Sequence, residues 1–321
     1  MRRTKTINIA LQGGGAHGAF AWGVLDRLLE EPGIEVEGVV GTSSGAMNAA
    51  VAAYGLTVGG NEGARAKLAE FWRAISDVAR FFPGAAYLVT AMLSRFFSPY
   101  ELNPLNYNPL RDVLCKVIDF DALRAGAKVK LFTCAANVLT GRLRVFERRE
   151  QSVDTVLASA CLPYMFHAVE VDGEHYWDGG YMGNPPIFPL IYKCESRDVV
   201  LVMINPIAIS AVPKSARAIL DRINTLSFNS SLMREMRAIE FVSRLIDRGY
   251  DDGGRLKKML IHCIDAEEEM RELGESSKLN ASWDFLMHLH ELGRARGEAF
   301  LDAHYDKLGR IGSTRLEERF L

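Results

Sequence analysis

The strongest constraint on the fold is a pair of glycine-bearing corners, Gly13-Gly14-Gly15-Ala16-His17-Gly18 and Gly41-Thr42-Ser43-Ser44-Gly45, each placed where a strand gives way to a helix. Thr6 to Gln12 is a short β-rich run that stops at the first glycine. From Gly18 to Glu31 the apolar positions Phe20, Val24, Leu25, Leu28 and Leu29 fall on one helical stripe, and Pro32-Gly33 ends it. Val36 to Val40 reads as the next strand, and a helix of small residues follows from Ala46 to Ala53. A strand–helix–strand unit of this length makes its two strands parallel neighbours. Both corners then open on the same edge of one sheet, and the chain is predicted to be an α/β protein.

The second corner has the form G-x-S-x-G. A sharp strand-to-helix corner lifts its central side chain out of the sheet, and flanking glycines let strand and helix pass close together, which suits Ser43 to a nucleophile's role. The same residues also read as a serine N-cap on a helix entered through a glycine turn, and the pentapeptide alone does not choose. The first corner fits G-x-G-x-x-G, the dinucleotide fingerprint. That fingerprint wants an acid at the end of the second strand to hold a ribose hydroxyl. Here the second strand ends at Gly41-Thr42-Ser43, and Glu35 and Glu37 lie at its beginning. The loop's other use is to present backbone N–H groups at a helix N-terminus, where the dipole favours negative charge. With adjacent strands roughly 5 Å apart, the N–H groups of Gly14 and Gly15 are expected near the Ser43 hydroxyl, as an oxyanion hole beside a nucleophile.

A serine nucleophile needs a base. His17, His167 and His175 lie in the first two thirds of the chain, and His262, His288, His290 and His304 come late. Tyr176-Trp177-Asp178-Gly179-Gly180 offers an acid at a strand end, followed by two glycines that permit a tight turn, although Asp-Gly-Gly alone is a common turn. In extended backbone His175 and Trp177 share one face and Tyr176 and Asp178 the other.

Taken in order, these motifs resemble the patatin-like phospholipases, serine acyl hydrolases that use a Ser–Asp dyad. The run Ala158-Ser159-Ala160-Cys161-Leu162-Pro163, with Phe166 after it, is similar to the family's stretch before the aspartate, and the resemblance covers residues 6–205. It implies Ser43 as nucleophile, Asp178 as proton acceptor, and an oxyanion hole from Gly13, Gly14, Gly15, Ala16, His17 and Gly18. Gly41, Thr42, Ser44 and Gly45 would frame the nucleophile, and Gly179 and Gly180 would turn the chain after the aspartate. It further implies a three-layer α/β sandwich with a central, mostly parallel sheet. The activity implied is hydrolysis of lipid carboxylic esters of the phospholipase A, lysophospholipase or esterase type, with no cofactor. His17 departs from the family's pattern, because many members carry Arg or Lys there. Three rival readings stand beside this one: a conventional Ser-His-Asp esterase, a nucleotide-binding protein, and a non-catalytic lipid-binding protein.

Composition supplies exclusions. A formal net charge of −2 on 321 residues leaves no electrostatic footprint for nucleic acid. Cys115, Cys134, Cys161, Cys194 and Cys263 are scattered, without metal or disulfide spacing, and read as reduced thiols of a cytoplasmic protein, peripheral to the membrane at most. Met1-Arg2-Arg3-Thr4-Lys5 looks like a secretory start, but the apolar stretch behind it is too short. The longest apolar run, Val199 to Val212, is broken by Asn205-Pro206, so no bilayer-spanning segment is expected. Without repeats or a linker, residues 1–321 read as a single catalytic domain, with the motif-bearing core at 6–205 and a helical C-terminal extension over 214–321. Residues 80–108, rich in aromatics and proline, suit a cap lining an acyl-chain site, a patch making transient membrane-surface contact, or plain core packing. The expected partner is a lipid or other acyl-ester substrate. Further helices are predicted at 45–56, 61–79, 109–118, 152–161, 215–248 and 280–306, and a late strand at Met259–Ile264.

Overall fold

Strands β1 (Lys5–Leu11), β2 (Ile34–Gly41), β3 (Lys130–Asn137), β4 (Leu143–Glu147), β5 (Val169–Val171), β6 (Glu174–Asp178), β7 (Asp198–Val202) and β8 (Leu260–Ile264) form one sheet in the computed structural model, which describes residues 4–81, 97–126, 128–250 and 253–321. Their order is β5-β6-β3-β2-β1-β7-β8, with β4 paired to β3. The five strands β3-β2-β1-β7-β8 run parallel, and β4, β6 and β5 add an antiparallel side. The expected crossover unit is β1, α1 (Gly18–Glu30) and β2, paired in parallel.

Parallel strands buried on both faces are apolar without interruption, and alternation sorts their side chains between two cores. Ile7, Ile9, Leu11, Val39, Val200 and Val202 face one helical layer. It is built from α1, α2 (Ser44–Phe81), α3 (Pro109–Val117), α4 (Val153–Ser159) and a late helix, Trp283–His304. Ala10, Val40, Val199, Leu201 and Met203 face the other. That layer holds α5 (Ala216–Asp247) and the short helices Phe188–Lys193 and Leu316–Phe320. The late helix is α6. The three layers are those expected, and the late strand expected at Met259–Ile264 is β8, by which the C-terminal third joins the sheet.

Two local differences have simple causes. The helices expected at 45–56 and 61–79 meet end to end in α2, because residues 57–59 stay helical and only Gly60, at φ 63°, breaks the run. Within 80–108, residues 82–96 (with Phe82, Pro83, Tyr87 and Phe96) lie outside the described residues. Beyond them Ser98 and Glu101 form a capping box on a single turn, Pro99–Leu102. Tyr100 then stacks on His167 at 4.0 Å, and its hydroxyl accepts the Ala168 N–H at 3.2 Å. Among the described residues no helix is long and apolar enough to cross a membrane, and all five cysteines are free thiols.

Candidate active site

Ser43 stands two residues beyond the end of β2 with φ 55°, a left-handed conformation rare for a residue with a side chain. Such backbone costs about 1–3 kcal/mol and persists only where its surroundings hold it. The surroundings are specific. The Ser43 N–H donates to the buried Ser159 hydroxyl at 3.0 Å, and the Ser43 carbonyl accepts from Ala46 and Met47 at 2.9 and 3.1 Å as α2 begins. Gly13 presses on the corner from the loop after β1: a Cβ there would lie 2.6 Å from the Ser43 Cβ. Ser43 is partly exposed, whereas Ser44 is buried.

Asp178 ends β6, paired with Ala135 on β3. Alternation works as expected, with Tyr176 and Asp178 buried and His175 and Trp177 exposed. The carboxylate is only 1% exposed, accepts the Gly180 N–H at 2.7 Å, and faces the Ser43 hydroxyl. Burial pushes its pKa up to about 6, against the opposing pull of the Gly180 N–H and then of Ser43.

The three motifs meet at Gly183-Asn184. The Thr42 hydroxyl donates to the Gly183 carbonyl at 2.7 Å, and the Gly13 N–H donates to the Asn184 side-chain oxygen at 2.6 Å. The Ser43 corner and the glycine loop are thereby tied to the segment after Asp178-Gly179-Gly180, where the Gly183 N–H bonds the Gly179 carbonyl at 2.8 Å. This also alters the expected set of free donors. The Gly13 N–H is committed to Asn184, and the Gly14 N–H points at the Ser44 hydroxyl at 3.1 Å. The cause is that Ser44 is buried, and a buried hydroxyl takes a partner. Under the loop lies an amide network. Gln12 accepts from the N–H groups of Ile204 and Asn205 at 2.9 and 3.0 Å, and Asn205 donates to the Gly13 carbonyl at 2.8 Å.

His17 is buried, with Nε2 2.7 Å from the Ser277 hydroxyl. Burial first, and the nearby Lys278 charge second, lower its pKa to about 3, so the imidazole is neutral. His167 meets the Pro99 carbonyl at 3.1 Å, and His290 lies 3.3 Å from Asp26. His262 bridges Asp198 and Ser313, each at 3.0 Å, a Ser-His-Asp chain at the opposite edge of the sheet, since Asp198 begins β7 and Ser43 follows the end of β2. Among the described residues no histidine hydrogen bonds Ser43 or Asp178, and no cluster of His, Cys, Asp or Glu is able to hold a metal.

The model of the patatin-like phospholipase family matches residues 9–191, a span that takes in both glycine corners and the aspartate turn. The chain belongs to the patatin-like phospholipase family. Its sheet, covered by helices on both faces, is the patatin fold extended by C-terminal helices. The chain is also similar to lysophospholipase NTE1 of Cryptococcus neoformans var. neoformans serotype D, in strains JEC21 and B-3501A. Each is 27% identical over 205 residues, and the matched part is 63% of this chain and 11% of theirs. A search of solved structures aligns VipD from Legionella pneumophila at 15% identity and a TM-score of 0.47, over 93% of this chain and 67% of VipD. The patatin match ends before β7, so Asn205, Ser277 and Lys278, which reach the glycine loop, lie beyond it. Sequence reading had no signal for these residues, nor for Asn184 and Gln12. Isolated polar side chains carry no periodicity, and only the folded chain brings them under one loop.

Proposed function

We infer that the protein hydrolyses carboxylic ester bonds of lipids through an acyl-enzyme on Ser43, with Asp178 as the proton acceptor. The observation that carries this reading is the buried Asp178 carboxylate facing a serine held on a left-handed corner. A carboxylate is ordinarily too weak a base for a serine hydroxyl. A pKa raised to about 6 brings its proton affinity closer to the task.

In the first half-reaction Asp178 takes the hydroxyl proton while Ser43 Oγ bonds to the ester carbonyl carbon. The oxyanion forms against the Gly15–Ala16 side of the glycine loop, where backbone N–H groups and the start of α1 favour negative charge. The carbon–oxygen ester bond then breaks, and the proton on Asp178 passes to the departing alkoxide, which leaves as the alcohol. In the second half-reaction water gives a proton to Asp178 and its oxygen attacks the acyl carbon. The fatty acid leaves, and the proton returns to Ser43.

The Ser–Asp dyad is favoured over a Ser-His-Asp triad because the described contacts of the histidines are made elsewhere. One catalytic unit spanning residues 1–321 is supported by β7 and β8, which continue the sheet that bears the motifs. The test combines a fluorophosphonate probe with a panel of phospholipids, lysophospholipids and simple esters. The adduct should map to Ser43 and not Ser44, and Ser43→Ala should be folded and inactive on every substrate. An adduct on Ser44, or none on folded protein, overturns the assignment.

A further inference from the structure

The segment Glu275–Leu279, a short 3-10 turn in the C-terminal extension, closes over the glycine loop. The Lys278 carbonyl fills the space beside Gly15, which has φ 59° and where a Cβ would lie 2.3 Å from that oxygen. The Ser277 hydroxyl meets His17. The Lys278 ammonium donates to Asn205 Oδ1 at 2.9 Å, and the Nδ2 of the same amide donates to the Gly13 carbonyl at 2.8 Å. Gly13's carbonyl and Gly14's N–H belong to one peptide group. The N–H end of that group points at Ser44 Oγ, next to Ser43. A continuous chain of hydrogen bonds therefore runs from a cation through the Gly13–Gly14 peptide to Ser44, the residue beside Ser43.

We propose that Lys278 is a positioning residue of the oxyanion site: through Asn205 and the Gly13 carbonyl it fixes the Gly13–Gly14 peptide, whose N–H is held by Ser44, and so sets the glycine loop beside Ser43. Hydrogen bonds in such a chain strengthen one another, because each acceptor drawn toward positive charge makes its own donor more acidic. The glycine loop holds no Lys or Arg, and His17, its one titratable residue, is neutral. Among the described residues Lys278 brings a positive charge to this loop, and it comes from outside the residues that the family model matches. The proposal rests on the reading of Ser43 and the glycine loop given above.

The full-length protein with Lys278→Met, which keeps the aliphatic stem, tests it on a short-chain p-nitrophenyl ester. Deleting an oxyanion donor outright costs about 10²–10³-fold in kcat. Loosening the loop that presents such donors should lower kcat about tenfold and leave KM within about threefold. Lys278→Arg should recover most of the loss. Adding Lys278→Met to Asn205→Ala should cost little beyond Asn205→Ala alone, because the two share one route. The rate of fluorophosphonate labelling at Ser43 should fall in parallel with kcat. Full kcat in Lys278→Met overturns the proposal. So does a loss that Arg fails to rescue and that follows a fall in melting temperature, which marks a merely structural clasp. Losses that multiply in the double variant overturn the route through Asn205. If wild-type protein is not labelled at Ser43, the underlying reading falls too. If wild type and Lys278→Met are labelled equally fast, only the role of Lys278 falls.

Discussion

The hydroxyl of Ser159, at the end of α4, accepts the N–H of Ser43 at 3.0 Å, and both atoms sit where β2 turns into α2. This one bond joins the strained corner to the run that leads into the aspartate strand, since the Cys161 carbonyl in turn accepts the Asp178 N–H at 2.8 Å. Ser159→Ala leaves a backbone donor without its partner, at a cost of about 1–3 kcal/mol. The variant should melt lower and lose turnover through a misplaced Ser43. Thermal unfolding together with the labelling rate checks both, and an unchanged rate would mean that the corner holds its shape without Ser159.

Asp178→Asn keeps the shape and the acceptor for the Gly180 N–H but removes the proposed base, so turnover should fall by at least about 10²–10⁴-fold. Stability should move the other way. The folded pKa of about 6 lies above the usual carboxylate value, so the native state binds a proton more tightly than the unfolded chain. Stability is therefore highest when Asp178 is protonated and declines as pH rises from about 4 to about 6. Asn mimics the protonated form. The variant should be the more stable protein at pH 8, by up to about 3 kcal/mol, with the gap closing near pH 4. Denaturant unfolding at the two pH values checks the sign. In wild type, kcat/KM should fall as pH drops below about 6.

His262→Gln should separate folding from chemistry. His262 is wholly buried between Asp198 and Ser313, and the Thr314 N–H bonds the Ile261 carbonyl beside it, so this cluster fastens the chain's last turns to β8. Its loss should lower the melting temperature, with about 1–3 kcal/mol at stake. kcat per folded molecule should stay at the wild-type value. A dead, natively folded His262→Gln protein would replace the dyad with a triad.

Phe97 is 47% exposed and leads into the turn whose Pro99 carbonyl and Tyr100 ring hold His167, a few residues beyond Cys161. An exposed aromatic there suits contact with acyl chains. Phe97→Ser should reduce turnover of long-chain esters more than of short-chain ones. Equal losses on both would assign Phe97 to ordinary packing.

Much of the architecture follows from local rules. Thr6–Gln12 and Val36–Val40 announce strands by composition, Phe20 to Leu29 announce a helix by period, and glycines between them mark the corners. Once two such strands are parallel neighbours, Ser43 and the glycine loop share a sheet edge, and alternation along Glu174–Asp178 turns Asp178 inward. The antiparallel placement of β6 against β3, which carries Asp178 to Ser43, is non-local and has no such signature.

Residue type and spacing in the chain therefore singled out Ser43 and Asp178 as candidate groups and determined which edge of the sheet presents Ser43, because periodicity and turn chemistry act over a few residues. Only the tertiary structure decided how those groups are tuned. Asp178 has its raised proton affinity from burial, Ser43 has its backbone held by Ser159, and the loop has its charge from Lys278 through Asn205. Desolvation and hydrogen bonding depend on what is near in space, and these partners come from distant parts of the chain.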